Sequence, residues 1–271
     1  MSAIRTVVIT GAGSGLGEAM AYRFANAGYS VAVTDTDKER ADVVLSKIIS
    51  SGGSGFSQSL DVTSGNDWDL LYRQVLDQWG GLDVIVNNAG VAAAGRIEES
   101  SIEDWKWLLD IDLMGVIRGC HRFVPMFRQQ GRGHIVNVAS FAGMVAVPRV
   151  SAYATAKAAV VALSKQMRVD LDRSGVGISL LCPAYVNTRL METFRSDNEQ
   201  AKTLADKWMK NSQITAEKVA DMVFDAVEKN RFLILTHPET RWAWRFSRWF
   251  PGRFHRSLIA VARRMDRKFN T

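Results

Sequence analysis

Tyr153 and Lys157 stand four residues apart in a stretch of helical pattern, so both side chains project from one face. Ser140 lies upstream, at the end of a short apolar run. A free phenol has a pKa of about 10 and is a poor base at neutral pH. A nearby ammonium favours the phenolate, and so does the charge of an oxidised nicotinamide. Tyr153 could then exchange a proton with an alcohol or ketone oxygen while a hydride moves to or from nicotinamide C4. Ser140 could hydrogen-bond the same oxygen, and Lys157 could also hold the nicotinamide ribose. Alone, a Tyr and a Lys at this spacing are usually a helix surface pair. Their weight here comes from the company they keep.

The first company is a glycine-rich turn, Thr10-Gly11-Ala12-Gly13-Ser14-Gly15-Leu16-Gly17, between an apolar run and a helical pattern. Glycines let the backbone approach a pyrophosphate, and the helix that follows offers free N–H groups and a positive dipole end. The spacing is G-x-x-x-G-x-G at 11, 15 and 17; the commoner G-x-G-x-x-G fails because position 16 is Leu. An ordinary tight turn is the plain alternative. Asp35 follows about 20 residues on, where a carboxylate can accept bonds from the adenine ribose hydroxyls and would repel a 2′-phosphate. No Lys or Arg stands at 12–16 or 36 to offset it, which favours NAD over NADP. The plain alternative for Asp35 is capping of the next helix.

These residues need a scaffold that brings them together. Apolar, β-branched runs fall at 6–10, 30–35, 55–61, 84–88, 134–139, 177–182 and 232–236, the third being weak. Most are continuous rather than alternating, as strands buried on both faces require. Helical patterns lie between them at 17–27, 37–51, 68–79, 102–130, 152–174 and 216–230. Strand–helix alternation predicts an α/β Rossmann-type doubly wound parallel sheet with helices on both faces. With 271 residues and 47% hydrophobic composition, the chain can bury one large core and is not a disordered polymer. Two cysteines, Cys120 and Cys182, cannot form a disulfide framework and point to a reducing, cytoplasmic setting. No apolar run nears the roughly 18 residues that span a bilayer, and the first ten residues lack the pattern of a secretory leader.

With Asp61-Val62, Asn87-Asn88-Ala89-Gly90 and Pro183-x-x-Val186-x-Thr188 added in order, the chain resembles the short-chain dehydrogenase/reductase family across about residues 4–236. The resemblance implies an NAD(P)-dependent oxidoreductase with Tyr153 as acid/base. It implies that Gly11, Ser14, Gly15, Leu16 and Gly17 cradle the cofactor. Asp61 and Val62 would contact adenine, Asn88, Ala89 and Gly90 line the cleft, and Pro183, Val186 and Thr188 hold the carboxamide end. Asn87 would brace the sheet. It also implies a homodimer or homotetramer pairing through 102–130 and 152–174. The chain departs from the family twice. Asp112 stands where an Asn usually holds a water beside the Lys, so the acceptor is kept and the donor lost. Ala184 stands where Gly is common.

Residues 189–214 match the family's segment over the substrate. Leu190, Met191, Phe194, Leu204, Trp208 and Met209, with Phe141, Met144, Val145 and Val147, predict a medium-sized, fairly apolar alcohol or ketone. Beyond 236 the alternation stops. The net charge of +6 is concentrated at 241–271, where nine Lys or Arg face one acid, Asp266. Trp242, Phe246, Trp249 and Phe250 share one helical face, Trp244 lies off it, and Pro251-Gly252 interrupts the pattern. Phe254, Leu258, Val261 and Met265 continue it. This basic helical extension, 237–271, suits either peripheral membrane contact or packing on a neighbouring subunit. The slightly acidic remainder argues against nucleic acid. No metal site is expected. The expected function is interconversion of a secondary alcohol and a ketone by hydride transfer. The rival is an NAD(H)-binding sensor or scaffold with little turnover.

Overall fold

The computed structural model describes residues 4–196 and 198–269. Strands β1 (Thr6–Thr10), β2 (Ser30–Asp35), β3 (Ser54–Ser59), β4 (Val84–Asn87), β5 (Gly133–Val138), β6 (Val176–Cys182) and β7 (Leu233–Leu235) form one sheet. Its order is β3-β2-β1-β4-β5-β6-β7, and every neighbouring pair is parallel. The order reverses between β1 and β4, and the crevice beyond the strand ends at such a reversal is where open α/β sheets bind ligands.

Helices α1 (Gly15–Asn26), α2 (Lys38–Ser50) and α8 (Ala216–Glu228) cover one face. Helices α3 (Gly65–Trp79), α5 (Gly115–Gln130) and α6 (Ser151–Asp170) cover the other. The continuous apolar strands follow from this. Val7, Ile9, Val31 and Val33 point to Met20, Phe24 and Ile48, while Val8, Ala32 and Ile85 point to Trp68, Val116 and Phe123. The strand and helix pattern read from the sequence is present, with ends displaced by up to four residues. The weak third strand is β3, whose residues are mostly half-exposed.

The stretch 102–130, expected as one helix, is three elements. Helix α4 (Ile102–Leu109) runs into a π-helical turn, Asp110–Met114, and then into α5. A π-turn adds one residue per turn and rotates the side chains that follow, and such bulges recur at functional sites. Here it turns Asp112 into the interior, with no exposed surface.

The segment 189–214 folds into a 3₁₀ turn, Arg189–Thr193, and helix α7 (Glu199–Lys210). It is stitched to the loop after β4: the Ala94 N–H donates to the Arg195 carbonyl at 2.9 Å, and the Arg195 N–H to that of Ala92 at 3.1 Å. The chain closes with α9 (Pro238–Trp249) and α10 (Pro251–Phe269). The helix break falls at Phe250, as the Pro251-Gly252 pair predicts.

Candidate active site

The glycine-rich turn joins β1 to α1 as the sequence requires. Gly11 and Gly15 adopt left-handed φ values of 62° and 56°. A Cβ on Gly17 would lie 2.1 Å from the Gly11 carbonyl oxygen, so only glycine fits. Ser14, the residue before α1, makes no side-chain cap, which leaves the first N–H groups of the helix facing the cleft. A backbone cradle at a helix N-terminus fits a pyrophosphate. Asn88 stabilises it: its side-chain amide donates to the Thr10 carbonyl at 2.8 Å and the Gly11 carbonyl at 3.1 Å.

Asp35 ends β2 at the mouth of this cradle. One carboxylate oxygen accepts the Gly13 N–H at 2.9 Å and the other the Asp37 N–H at 3.0 Å. The cap of α2 is made by Asp37, which accepts the Arg40 N–H at 3.1 Å, so capping is not the task of Asp35. Arg40 also lines the cleft, a cation that the sequence reading did not include. Its guanidinium is held by Asp37 at 3.0 Å and Glu192 at 3.1 Å. Asp61 and Val62 lie on the same wall. The Asp61 carboxylate accepts the Thr63 N–H and hydroxyl at 2.8 and 2.7 Å.

At the other end of the cleft, Ser140 follows β5, and its Oγ accepts the Ala142 N–H at 3.2 Å. The short 3₁₀ turn after it, Phe141–Gly143, packs tightly on α6; a Cβ on Gly143 would lie 2.4 Å from the Lys157 backbone. That contact sets Ser140 against Tyr153 and Lys157. Below them, the Asn87 side-chain amide donates to Asn137 Oδ1 at 2.9 Å, and that of Asn137 donates to Ser164 Oγ at 3.0 Å. This buried chain ties β4, β5 and α6 together.

Asp112 faces Lys157 across this floor. Its Oδ2 lies 3.0 Å from Lys157 Nζ, and its Oδ1 accepts the Val91 N–H at 2.7 Å. Lys157 also donates to the Val138 carbonyl at 3.3 Å. An ammonium has three donors, so one remains for the cleft. Gly90 covers the pair, where a Cβ would lie 3.2 Å from Asp112 and 3.3 Å from Lys157. Burial alone would push the Lys157 pKa down, but Asp112 and Tyr153 outweigh it and raise it, so Lys157 stays an ammonium. Burial pushes the Asp112 carboxyl up, against the pull of Lys157 and the Val91 N–H.

The sequence reading expected the ammonium to lower the Tyr153 pKa. Lys157 does pull in that direction, but on balance the Tyr153 pKa is raised. Burial is the largest cause, and the Asp112 charge adds to it; Lys157 and a hydrogen bond with Ser140 oppose them. Lys157 Nζ sits 5.7 Å from the ring centre, so its field reaches Tyr153 diluted and shared with Asp112.

Cradle and catalytic floor open into one cavity of about 790 Å³. The cavity also reaches Pro183, Val186 and Thr188, and its substrate end is apolar, with Phe141, Val147, Leu190, Met191, Phe194 and Trp208 in the wall. Met144 and Val145, expected there, instead pack inward: Met144 lies on the core and Val145 is buried. Trp107, Tyr185 and Met265 line it without having been foreseen. Met265 comes from α10, 112 residues beyond Tyr153 in the chain. The next residue, Asp266, pairs with Arg96 and, at 3.0 Å, with Arg149 at the cavity rim. Nothing local marks Met265 as a wall residue; only the path of the last helix does. Among the described residues there is no cluster of His, Cys, Asp and Glu suited to a metal.

Comparison with known proteins bears on the family and the fold. Residues 5–199 match the family described as short chain dehydrogenase. A "CLA biosynthesis dehydrogenase/reductase" of Lactiplantibacillus plantarum is 32% identical over 253 residues, 87% of this chain and 88% of that protein. A "3beta-hydroxysteroid dehydrogenase" of Mediterraneibacter gnavus is 33% identical over 79% of this chain and 80% of its own. Among solved structures, a short-chain dehydrogenase/reductase of Burkholderia phymatum in complex with NAD superposes with a TM-score of 0.86 at 33% identity, covering 91% and 93% of the two chains.

Proposed function

The chain belongs to the short-chain dehydrogenase/reductase family, and from that premise we propose that it interconverts a secondary alcohol and a ketone on a medium-sized, apolar substrate. The observation that carries the reading is one constellation. Ser140, Tyr153 and the buried Lys157–Asp112 pair lie at the floor of a cleft whose one end is a pyrophosphate cradle and whose other end is an apolar cavity.

In the direction of reduction, the substrate oxygen sits between the Ser140 and Tyr153 hydroxyls. The Tyr153 hydroxyl gives its proton to that oxygen, and Ser140 donates a hydrogen bond that polarises the carbonyl. The bound nicotinamide supplies the hydride. Lys157 supports the phenolate left on Tyr153, and its third N–H would hold the ribose of a bound nicotinamide cofactor. Asp112 keeps Lys157 charged and helps keep Tyr153 protonated, so at neutral pH the resting site is set up to donate a proton. We propose 1–236 as the catalytic unit and 237–271 as an extension that lends Met265 to the cavity wall.

The cofactor we propose is NAD. Asp35 presents a carboxylate where a 2′-phosphate would lie, and Arg40, which could bind such a phosphate, is neutralised by Asp37 and Glu192. We place the enzyme in a reducing, cytoplasmic compartment, a reading supported by two free, buried cysteines. We propose a homo-oligomer, as the resemblance implies, paired through the α4–α5 and α6 regions.

The ion pair favours a second reading, an NAD(H)-binding sensor with little turnover, because Asp112 shares the Lys157 charge that would otherwise act on Tyr153. One experiment separates the two. NADH and NADPH oxidation is followed against a panel of cyclic, steroid-like and long-chain ketones. Turnover with NADH favoured supports the dehydrogenase. NADH binding without turnover on any ketone supports the sensor, and higher catalytic efficiency with NADPH overturns the cofactor assignment.

A further inference from the structure

The oxidoreductase reading leaves the outer surface of α9 and α10 without a task. Trp244, the tryptophan off the apolar stripe, is the one that packs on the body core. Arg241 secures the start of the pair by donating to the Leu235 carbonyl at 3.4 and 3.3 Å. The stripe itself faces outward: Trp242 is 69% exposed, Trp249 67% and Phe250 47%. Arg245, Arg248, Arg253 and Arg256, interleaved with these aromatics, are also exposed. Phe246 joins the helices through ring contacts with Phe250 at 5.4 Å and Phe254 at 6.3 Å.

We propose that this face docks the enzyme on an anionic phospholipid surface. Two amphipathic helices with exposed tryptophans and interleaved arginines have the make-up of an interfacial element. Charge complementarity selects the occupant. Of the two acids in α9 and α10, Asp266 is turned inward to Arg96 and Arg149, which leaves Glu239 at the start of α9 as the one exposed acid against four exposed arginines. A two-fold contact between copies would set this patch against itself, arginine against arginine. Anionic headgroups supply the missing charge, and the indole rings sit at the headgroup level. The docking helix and the rim of the cavity are parts of one element, because α10 carries both Phe254 beside the patch and Met265 in the cavity wall.

The test is co-sedimentation of the full chain with phosphatidylserine-containing vesicles and with pure phosphatidylcholine vesicles. Light scattering of each protein in solution accompanies it. The native chain is expected to pellet with the anionic vesicles only and to be released by salt. R245A/R248A is expected to weaken binding roughly fivefold per arginine removed, and W242S/W249S to abolish it. Both variants should still bind NADH, which shows that they fold and keeps the result separate from the catalytic proposal. Equal binding to both vesicle types, or none, overturns the proposal. So does W242S/W249S breaking an oligomer into monomers, which would make the patch a subunit interface.

Discussion

At the cradle end of the cleft the binding surface is backbone: Gly11 and Gly15 in left-handed conformations, Gly17 against a carbonyl, and the open N-terminus of α1. At the catalytic end it is side chain: Ser140, Tyr153, Lys157 and Asp112, with Lys157 and Asp112 buried in contact. The first end is a steric device, and the second an electrostatic one. The first should fail when atoms are added, while its choice of cofactor rests on the Asp35 charge at its mouth. The second should fail when a proton or charge is removed, even where shape is kept.

The largest effect is expected at the catalytic end from the smallest change in volume. Tyr153→Phe removes one oxygen and should lower kcat by about 10²–10⁴-fold while NADH binding persists; fluorescence titration beside turnover checks both. Retained turnover would mean that another group moves the proton. At the cradle end, Gly17→Ala adds one methyl against the Gly11 carbonyl. It should cost about 1–3 kcal/mol, seen as weaker NADH binding or lower thermal stability. Asp35→Asn leaves the shape but loses the charge. It should weaken NADH binding and narrow the preference over NADPH by about 1–2 kcal/mol, read as a ratio of dissociation constants. Met265→Ala removes wall area and should raise KM for bulky apolar ketones by about 1–3 kcal/mol, with less effect on small ones.

The two ends also differ in how well the sequence displays them. The cradle is local: Gly11 to Gly17, from the end of one strand through the first turn of one helix, carry the device, and only the Asn88 brace comes from elsewhere. The trio of Ser140, Tyr153 and Lys157 is legible because each sits at a strand end or on a helix face whose period is plain. Asp112 is visible as a residue type but not as a contact. Its placement depends on a π-turn, which the apolar pattern of 102–130 does not encode, because the pattern fits a continuous helix almost as well. The structure explains why an acid suits position 112. One oxygen accepts the Val91 N–H and the other faces the Lys157 ammonium at 3.0 Å, and an amide there would turn one donor toward another. The net direction of the Tyr153 pKa was not legible because burial, the largest cause, is a tertiary property. Arg40 and Met265 were missed for the same reason: their roles follow from which surfaces meet, and Met265 arrives from the far end of the chain.

The central claim is that the Asp112 charge adds to burial in raising the proton affinity of Tyr153, against the pull of Lys157. Its most direct test is the pH dependence of kcat/KM for alcohol oxidation, which needs Tyr153 to accept a proton, in the native enzyme and in Asp112→Asn. The negative charge of Asp112 raises the Tyr153 pKa, and it also raises that of Lys157. Removing it makes the phenolate easier to form, so the rising limb of the profile should move to lower pH. Superimposable profiles, or a rising limb displaced to higher pH, would contradict the account.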